Sequence, residues 1–402
     1  MNVFSKIAEK ILCNRLNTID EEKGLISDSQ FGFRPGHSSV QQIARIVNDT
    51  HVAFNNKKST VMLLLDIEKA FDRVWIDGLI YKMIRADYLD HLVYLINSYI
   101  RDRRFRVRVN NTYSNEITVN TGAPQGSVLG PSLFLYSVND IPKFQNTDLA
   151  LFADDTALIA HSFSAVVAAG QIQAHARILE RYFESWKIKA NANKRELLVM
   201  SRRRTENRIF QPIKLAGSEV HPKDCAKYLG VTLDKRLNFR LHITEVIKKA
   251  SCLMRSLYPL MISQSLNWIN KKLIYTTIVR PVLMYGCPLW CGRSATALSP
   301  MQIFQNKWLR LILGRDRYTR ITELHELTGI QTIREHVDKV SKKFYTQTQH
   351  NRNHLIHNIT RKRETNVPTE IKHKFPYQHL EIPVTQPCDD CDDQCREVAL
   401  PQ

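Results

Sequence analysis

The segment DLALFADDTALIA (148–160) constrains the fold more than any other part of this 402-residue chain. Two short apolar runs flank an Asp-Asp pair at a spacing that predicts a tight β-hairpin, with Asp154 and Asp155 at its tip. Adjacent carboxylates repel each other unless solvent or a cation neutralises them. An Asp-Asp turn alone is common in proteins, so a functional interpretation needs another carboxylate nearby.

The segment TVMLLLD (60–66) supplies that carboxylate. Its apolar run predicts a strand that is buried on both faces and ends at Asp66. If this strand lies beside the hairpin, Asp66, Asp154 and Asp155 meet at one edge of a sheet. Such a set can hold two Mg²⁺ ions about 3.5–4 Å apart, which is an arrangement used for phosphoryl transfer. The sequence therefore predicts in-line attack of a primer hydroxyl on a triphosphate.

The segment TGAPQGSVLGPSLFLYSVND (121–140) lies between these carboxylates and predicts a Gly/Pro loop that runs into an apolar helix. Gly122, Gly126 and Gly130 permit close approach of a ligand to the backbone, and the start of a helix offers unpaired N–H groups. Glycine loops before helices are also frequent without any ligand. Taken on its own, this loop is therefore interpreted as structural rather than as a ligand site.

The chain is strongly basic, with 57 Lys and Arg against 39 Asp and Glu, a net charge of +18 and a pI near 9.6. Nucleic acid is the simplest partner for this charge, although the lysines of a basic enzyme can also be merely solvated. Eight scattered Cys argue against a disulfide scaffold, and the N-terminus lacks the apolar run of a signal peptide or membrane span. We expect an intracellular protein of the cytoplasm and nucleus, neither secreted nor membrane-bound.

Hydrophobic periodicity predicts a mixture of helices and strands. Val3, Ile7, Ile11 and Leu12 indicate an amphipathic helix before Gly24. Further helices are predicted over 40–54, over 79–100 and, with interruptions, from about 240 to 345. The chain after about residue 360 has too little apolar content to pack.

The segment RFRVRVNNTYSNEITVN (104–120) alternates in polarity and predicts two strands joined by a turn at Asn110 and Asn111. Three arginines, Arg104, Arg106 and Arg108, share one face of the first strand. They form either a track for phosphates or a solvated face opposite Phe105, Val107 and Val109.

The segments DIEKAFDRVW, GAPQGSVLGP and FADD, in this order, resemble motifs A, B and C of non-LTR retrotransposon reverse transcriptases, and most of all those of the jockey group. QFGFRPGHSS (30–39) resembles the fingers motif of that family. WKIKANANK (186–194) resembles its motif D, and KYLGVTLD (227–234) resembles its motif E at the primer grip. The resemblance implies an RNA-directed DNA polymerase with an RNA template, a DNA primer and deoxynucleoside triphosphates.

The resemblance also assigns roles to individual residues. Asp66 and Asp154 match the ligands of both Mg²⁺ ions, Asp155 matches the third carboxylate, and the carbonyl of Ile67 matches a further ligand. Lys194 matches the motif D lysine. Its expected role is that of a general acid toward pyrophosphate, and the alternative is a surface residue without a catalytic role. These are the expected catalytic and metal-binding residues.

The remaining expected site residues contact the nucleotide or the primer. Phe71 resembles a steric gate that excludes the ribose 2′-hydroxyl, but its ring could instead be core packing. Gln125 and Gly126 are expected beside the incoming nucleotide. Arg34 is suited to the triphosphate, although a loop cation can be merely solvated. The expected primer-grip residues are Tyr228, Leu229 and Gly230.

The resemblance implies an α+β right-hand polymerase. We expect fingers and palm over 1–235, a helical thumb over 236–295, a helical extension over 296–360 and a loose tail over 361–402. The family's upstream endonuclease is missing and Met1 falls inside the expected fingers, which indicates an N-terminally truncated copy. The oligomeric state, the host and the insertion site do not follow from the sequence.

Three other hypotheses stay open. The chain could be a non-catalytic remnant of the same element that still binds nucleic acid. An RNA-copying RNA polymerase shares the carboxylate-tipped hairpin, but Phe71 disfavours it. In the tail, Cys388, Cys391 and Cys395 with His373 or His379 could hold zinc, although the order does not match a zinc knuckle and the neighbouring aspartates would repel nucleic acid.

Overall fold

The structure is a computed structural model that describes residues 3–191, 194–203, 212–215, 217–360 and 375–380. The predicted loose tail lies outside the described residues except for 375–380. The side chains of the hypothesised zinc ligands His373, His379, Cys388, Cys391 and Cys395 lie outside them as well.

The chain divides into two compact units. The first unit comprises Met1–Gln42 and Ser59–Lys223, and the second comprises Ile43–Lys58 and Asp224–Gln402. The mixture of helices and sheet in the first unit, followed by a helical C-terminal part, confirms the predicted α+β class.

The first unit is a central sheet with helices around it. Its helices are α1 Val3–Lys23, the start of α2 Ser39–Asn55, α3 Ile76–Arg85, α4 Asp90–Ile100, α5 Gly130–Val138 and α6 Ala165–Ser185. Its strands are β1 Ser59–Asp66, β2 Arg103–Phe105, β3 Arg108–Val109, β4 Thr112–Tyr113, β5 Ile117–Val119, β6 Asp148–Phe152, β7 Asp155–Ser162, β8 Glu196–Met200, β9 Ile213–Leu215, β10 Ser218–Val220 and β11 Pro222–Lys223.

The central sheet has five strands in the order β11-β8-β1-β7-β6. Strand β1 pairs antiparallel with β7 on one side and with β8 on the other. All its residues before Asp66 are buried, so the predicted strand with two buried faces is confirmed. Leu63 packs in the same apolar core as Leu133 of α5 and Ile172 of α6. Burial of each such side chain contributes about 1.5–3 kcal/mol.

Helix α1 turns a different face to the core from the one that its periodicity predicts. It ends at Lys23 before Gly24, as expected, but Val3, Ile7 and Ile11 are more than half exposed. The buried face instead includes Glu9, Cys13, Leu16 and Asp20. These two carboxylates can be buried because hydrogen bonds compensate the loss of solvent: Glu9 accepts one from Tyr99, and Asp20 accepts from Tyr88 and Tyr136.

The predicted helix over 79–100 is two helices, α3 and α4. The break lies where Asp87 adopts a left-handed conformation with φ of 55°. Lys23 Nζ holds this turn, at 2.8 Å from the Asp87 carboxylate and 2.6 Å from its carbonyl oxygen. A contact between residues so far apart in the chain is not visible in local periodicity.

The second unit is mostly helical. Besides most of α2 it contains β12 Cys225–Tyr228, β13 Val231–Asp234, α7 Arg240–Ile262, α8 Trp268–Ile274, α9 Arg280–Leu283, α10 Cys287–Trp290, α11 Ala295–Leu313, α12 Ile321–Thr328, α13 Ile333–Gln349 and α14 His354–His357. A π-helical turn, Tyr275–Val279, interrupts the predicted helix just before Pro281. Proline lacks the N–H that an α-helix needs for its hydrogen bonds. Throughout the described part of the chain, no helix is long and apolar enough to span a membrane.

Candidate active site

The three predicted carboxylates lie together at one edge of the central sheet. Strands β6 and β7 pair up to Phe152 and Asp155, so only Ala153 and Asp154 form the turn. This confirms the predicted hairpin. Asp155 begins β7 and is the direct antiparallel partner of Asp66, the last residue of β1. Directly opposed residues point to the same face of a sheet with their Cβ atoms about 4.5–5.5 Å apart.

The carboxylates destabilise one another's charge. Burial, followed by repulsion from Asp154 and Asp66, raises the pKa of Asp155 to about 6. Burial also raises the pKa of Asp154, with Asp66 adding to the shift. A raised carboxyl pKa means that the folded chain disfavours the ionised form, here mainly through burial and partly through the neighbouring negative charge.

Lys194 supplies the one ammonium group that is close to Asp66 among the described residues. Its Nζ lies 3.1 Å from Oδ2 of Asp66. The hydrogen bond and attraction to Asp66 raise the pKa of Lys194. The structure therefore brings the motif D lysine to the carboxylates, although its side chain is 65% exposed.

The segment before Lys194 is fixed on Asp66 by backbone hydrogen bonds. The N–H of Asn191 donates to the Asp66 carbonyl and the N–H of Glu68 donates to the Lys189 carbonyl, both at 2.8 Å. Ile67 lies between these two bonds, and neither of them uses its carbonyl oxygen.

The chemistry of this donor set fits a divalent cation, because carboxylate oxygens suit Mg²⁺ and the ion pair with Lys194 offsets only one of the three carboxylates. Among the residues that the structure describes, no three His, Cys, Asp or Glu side chains are already arranged as a metal site. The three carboxylates are therefore neighbours that do not already form a metal-binding cluster.

Gln30 and Gly32, which the sequence indicated only as part of a loop motif, contact the carboxylate turn. The Oε1 atom of Gln30 accepts hydrogen bonds from the N–H groups of Ala153 and Gly32, at 3.0 and 2.8 Å. Ala153 needs this support because it is not a glycine and yet has φ of 56°. A Cβ added to Gly32 would meet the Ala153 nitrogen at 2.2 Å. Only the pattern QFG before a loop hinted at these contacts.

For the primer extension that the sequence resemblance implies, we expect Gly32→Ala to give an about hundredfold lower rate, since an added methyl must displace the backbone beside Asp154 and misplacement of about 1 Å can have that effect. Gly170→Ala is the matched control, because an added Cβ in α6 meets open space and should stabilise the helix by about 0.5–1 kcal/mol. Extension rates and melting curves of both variants test this. Normal extension by Gly32→Ala would contradict the close packing.

The raised pKa of Asp155 predicts a pH dependence of stability in metal-free buffer. Between its ordinary value of 3.8 and the folded value of about 6, the folded chain binds more protons than the unfolded chain. The free energy of unfolding should therefore fall as the pH rises through this window, and this contribution should be flat above it. Chemical denaturation across the window should show a smaller fall for Asp155→Asn. An equal fall in both proteins would contradict the shift.

Phe71 lies between two aromatic rings. Its centroid is 6.0 Å from the ring of Phe33 and 5.3 Å from the ring of Phe134. Phe134 is fully buried, whereas Phe33 is about half exposed and has φ of 57°. The ring of Phe71 is therefore part core and part surface. Phe33 was not foreseen, because an exposed aromatic residue in a loop carries no periodic signal.

The loop before α5 presents Gln125 and Gly126 to solvent. Gln125 Nε2 donates to the carboxylate of Asp72 at 2.6 Å. Gly126 has φ of 76°, and an added Cβ there would meet open space, so its backbone rather than close packing favours glycine. Buried Glu9 holds the end of this loop by accepting a hydrogen bond from the N–H of Val128 at 2.6 Å.

Arg34 is turned toward its own loop. Its Nη1 donates to the carbonyl oxygens of Ser27 and Gln30 at 2.9 and 3.2 Å and lies 4.0 Å from the Asp28 carboxylate. Burial lowers the pKa of Arg34. The side chain is thus tied to the loop that also positions Gln30, and its expected contact with triphosphate remains a prediction.

The predicted primer-grip residues belong to the second unit. Tyr228, Leu229 and Gly230 close the hairpin of β12 and β13, where Leu229 and Gly230 both have positive φ values, 46° and 81°. Two positive φ values suit a two-residue hairpin turn. The hydroxyl of Tyr285 donates to the Leu229 carbonyl at 2.7 Å and fixes this turn.

The chain is similar to known proteins over most of its length. The model of a family described as reverse transcriptase (RNA-dependent DNA polymerase) matches residues 1–233. The probable RNA-directed DNA polymerase from transposon X-element of Drosophila melanogaster is 34% identical over 90% of this chain and 40% of that protein. That of transposon BS from the same organism is 34% identical over 86% and 39%.

The RNA-directed DNA polymerase from mobile element jockey of Drosophila melanogaster is 29% identical, over 94% of this chain and 42% of that protein. The chain therefore spans about two fifths of the length of these curated relatives. Among solved structures, telomerase from Candida albicans covers 90% of this chain and 59% of its own at 12% identity, with a TM-score of 0.37.

Proposed function

This chain belongs to the reverse transcriptase (RNA-dependent DNA polymerase) family, and we propose that its carboxylate site copies RNA into DNA for a non-LTR retrotransposon. The observation that carries the proposal is the direct pairing of Asp66 with Asp155 at the sheet edge where Asp154 forms the turn. The ion pair with Lys194 offsets only one of the three carboxylates, so the site favours a divalent cation, which would in turn bind the triphosphate.

Asp66, Asp154, Asp155 and the carbonyl of Ile67 are the groups that would hold two Mg²⁺ ions. When bound, such ions lower the pKa of the primer 3′-hydroxyl and neutralise charge on the triphosphate. The protein contributes position: β1 and the hairpin are rigid elements, and Gln30 fixes the turn between β6 and β7. Rigid placement of charged groups accounts for most of the catalysis in phosphoryl transfer.

Lys194 would act on the leaving group. Its ammonium is held by Asp66 at 3.1 Å, which keeps it protonated and close to the carboxylates. As the bond to pyrophosphate breaks, a proton from Nζ would pass to the leaving oxygen. This role suits a flexible, largely exposed side chain that can follow the departing group.

The other predicted residues would orient substrates. Phe71 would lie against the sugar and exclude a 2′-hydroxyl, and Gln125 and Gly126 would contact the incoming nucleotide. Arg34 would approach the triphosphate, for which it must leave the carbonyl groups of its own loop. In the second unit, the turn of Tyr228, Leu229 and Gly230 would contact the primer.

The test is primer extension by the purified chain on an RNA template with deoxynucleoside triphosphates. We expect extension that requires Mg²⁺ and stops when a chelator is added. A chain that binds the RNA template and DNA primer but never extends the primer would instead be the non-catalytic remnant, and that outcome would overturn the proposal.

A further inference from the structure

Phe33 combines two properties that rarely occur together in a large apolar residue. It is 51% exposed, and its backbone adopts a left-handed conformation with φ of 57°. This conformation is unfavourable for a bulky residue, because Cβ comes close to the following carbonyl oxygen. Such strain persists only where the surrounding structure enforces it, and it is concentrated at functional sites.

Hydrogen bonds on both sides of Phe33 enforce this conformation. Before it, the N–H of Phe31 donates to the Leu151 carbonyl of β6 at 2.9 Å. After it, the guanidinium of Arg34 donates to the Gln30 carbonyl at 3.2 Å. The loop is therefore fixed on a strand of the carboxylate hairpin, and the ring of Phe33 is held in a defined place.

The backbone of Phe71 is fixed as well, whereas the orientation of its ring depends on neighbouring side chains. The Phe71 carbonyl accepts a hydrogen bond from the N–H of Ala123 at 2.8 Å, and a Cβ added to Gly122 would meet this carbonyl oxygen at 2.9 Å. From the core, Phe134 packs against the ring with 5.3 Å between centroids. From the loop, Phe33 meets the same ring at 6.0 Å and 74°, a favourable edge-to-face arrangement.

We propose that Phe33 is a positioning residue that determines sugar specificity by holding the ring of Phe71 in place. A steric gate excludes a hydroxyl group only if its ring cannot move away from the added oxygen atom. Packing against side chains of fixed position prevents such movement. Phe134 gives this support from the core, and Phe33 gives it from the exposed loop, where solvent would otherwise leave the ring free to rotate.

The experiment compares kcat/KM for dATP and for ATP, which differ only in the 2′-hydroxyl, during extension of a DNA primer on an RNA template. In Phe33→Ala the preference for dATP should fall by about fivefold, mainly through better use of ATP, because a displaced ring blocks less space. Phe33→Tyr retains the ring and should retain the preference. The matched control is Phe163→Ala, which removes a similarly exposed ring beside the opposite end of β7 from Asp155.

Phe33→Gly separates the proposed role from an effect on folding. Glycine adopts a positive φ without steric cost, so this variant should melt at a higher temperature than Phe33→Ala. It should nevertheless lose the preference for dATP to the same extent, because it also lacks the ring. If selectivity instead followed the melting temperature, Phe33 would have a role in stability alone and the proposal would be wrong.

A double variant tests whether Phe33 acts through Phe71. Phe33→Ala combined with Phe71→Ala should discriminate between the sugars no worse than Phe71→Ala alone, since the ring to be held is already absent. A further loss would mean that Phe33 contacts the nucleotide directly, which contradicts the assignment. Unchanged preference in Phe33→Ala, or an equal loss of activity with both sugars, would also overturn it.

A second measurement does not depend on polymerase activity, although the inference rests on the proposed function in that Phe71 faces the sugar. With para-fluorophenylalanine in place of Phe71, the fluorine NMR resonance of the full chain should shift and narrow in Phe33→Ala, because the ring reorients faster. It should stay unchanged in Phe163→Ala. A chain that shows this shift but extends no primer contradicts the proposed function and supports the positioning of Phe71 by Phe33. An unchanged resonance in Phe33→Ala refutes that positioning.

Discussion

Replacement of Asp154 by Asn should reduce Mg²⁺-dependent primer extension by at least about a thousandfold, because a carboxylate that holds a catalytic ion is worth several kcal/mol in the transition state. The fold should survive the change. Asp154 lies in a two-residue turn, and burial together with repulsion from Asp66 raises its pKa, so a neutral amide relieves an unfavourable charge. Melting should therefore occur at the same temperature or slightly higher.

Asp148→Asn is the matched control for this prediction. It makes the same chemical change at the other end of the same hairpin, where Asp148 is exposed and pairs with His161. Extension rates over a range of Mg²⁺ concentrations separate the two positions. A folded Asp154→Asn protein that extends primers at close to the normal rate would remove the basis for the proposed carboxylate site.

The second large effect concerns sugar selection, where Phe71→Ala should admit ribonucleotides with little change in the use of deoxynucleotides. A ring that lies against the sugar excludes one oxygen atom by overlap, and a methyl group leaves room for it without adding attraction for the deoxy substrate. Discrimination should fall mainly through a higher kcat/KM for ribonucleotides, by roughly tenfold or more as the clash of about 1.4 kcal/mol or greater is lost.

The position of Phe71 between Phe33 and Phe134 makes a second outcome measurable. If the ring mainly packs in the core, Phe71→Ala would leave a cavity with a cost of up to about 3–5 kcal/mol, and both activities would fall with stability. Phe134→Ala is the reference for that outcome, since its ring is fully buried. Kinetics with both sugars and a melting curve distinguish the two cases. A stable Phe71→Ala protein with unchanged selectivity would refute the gate.

Two basic residues of the expected site have partners within the protein itself. Arg34 was expected to face a triphosphate, yet its guanidinium is bonded to carbonyl groups of its own loop. Lys194 was expected to act on pyrophosphate, and here it serves as the counter-ion of Asp66. The first arrangement satisfies carbonyl groups of the loop with hydrogen bonds. The second offsets one negative charge among the crowded carboxylates. Their roles with a bound nucleotide remain predictions.

The sequence by itself determined the family, the α+β class and the carboxylate hairpin. These features follow from local patterns: an apolar run that ends at Asp66, and two apolar runs around Asp154 and Asp155. A strand that is buried on both faces and a two-residue turn each leave a mark within a few neighbouring residues. The order of the motifs then made the resemblance specific.

Only the tertiary structure decided which polar groups hold the site. Gln30 supports the Ala153 turn, and Glu9 holds the loop before α5, through contacts across more than a hundred residues. In a sequence, a buried glutamine or glutamate resembles a solvated one, because its burial depends on distant partners that satisfy its hydrogen bonds. The exposed apolar side chains of α1 and of strands β2, β3 and β5 were hidden for the same reason: periodicity identifies an apolar face but does not say what covers it.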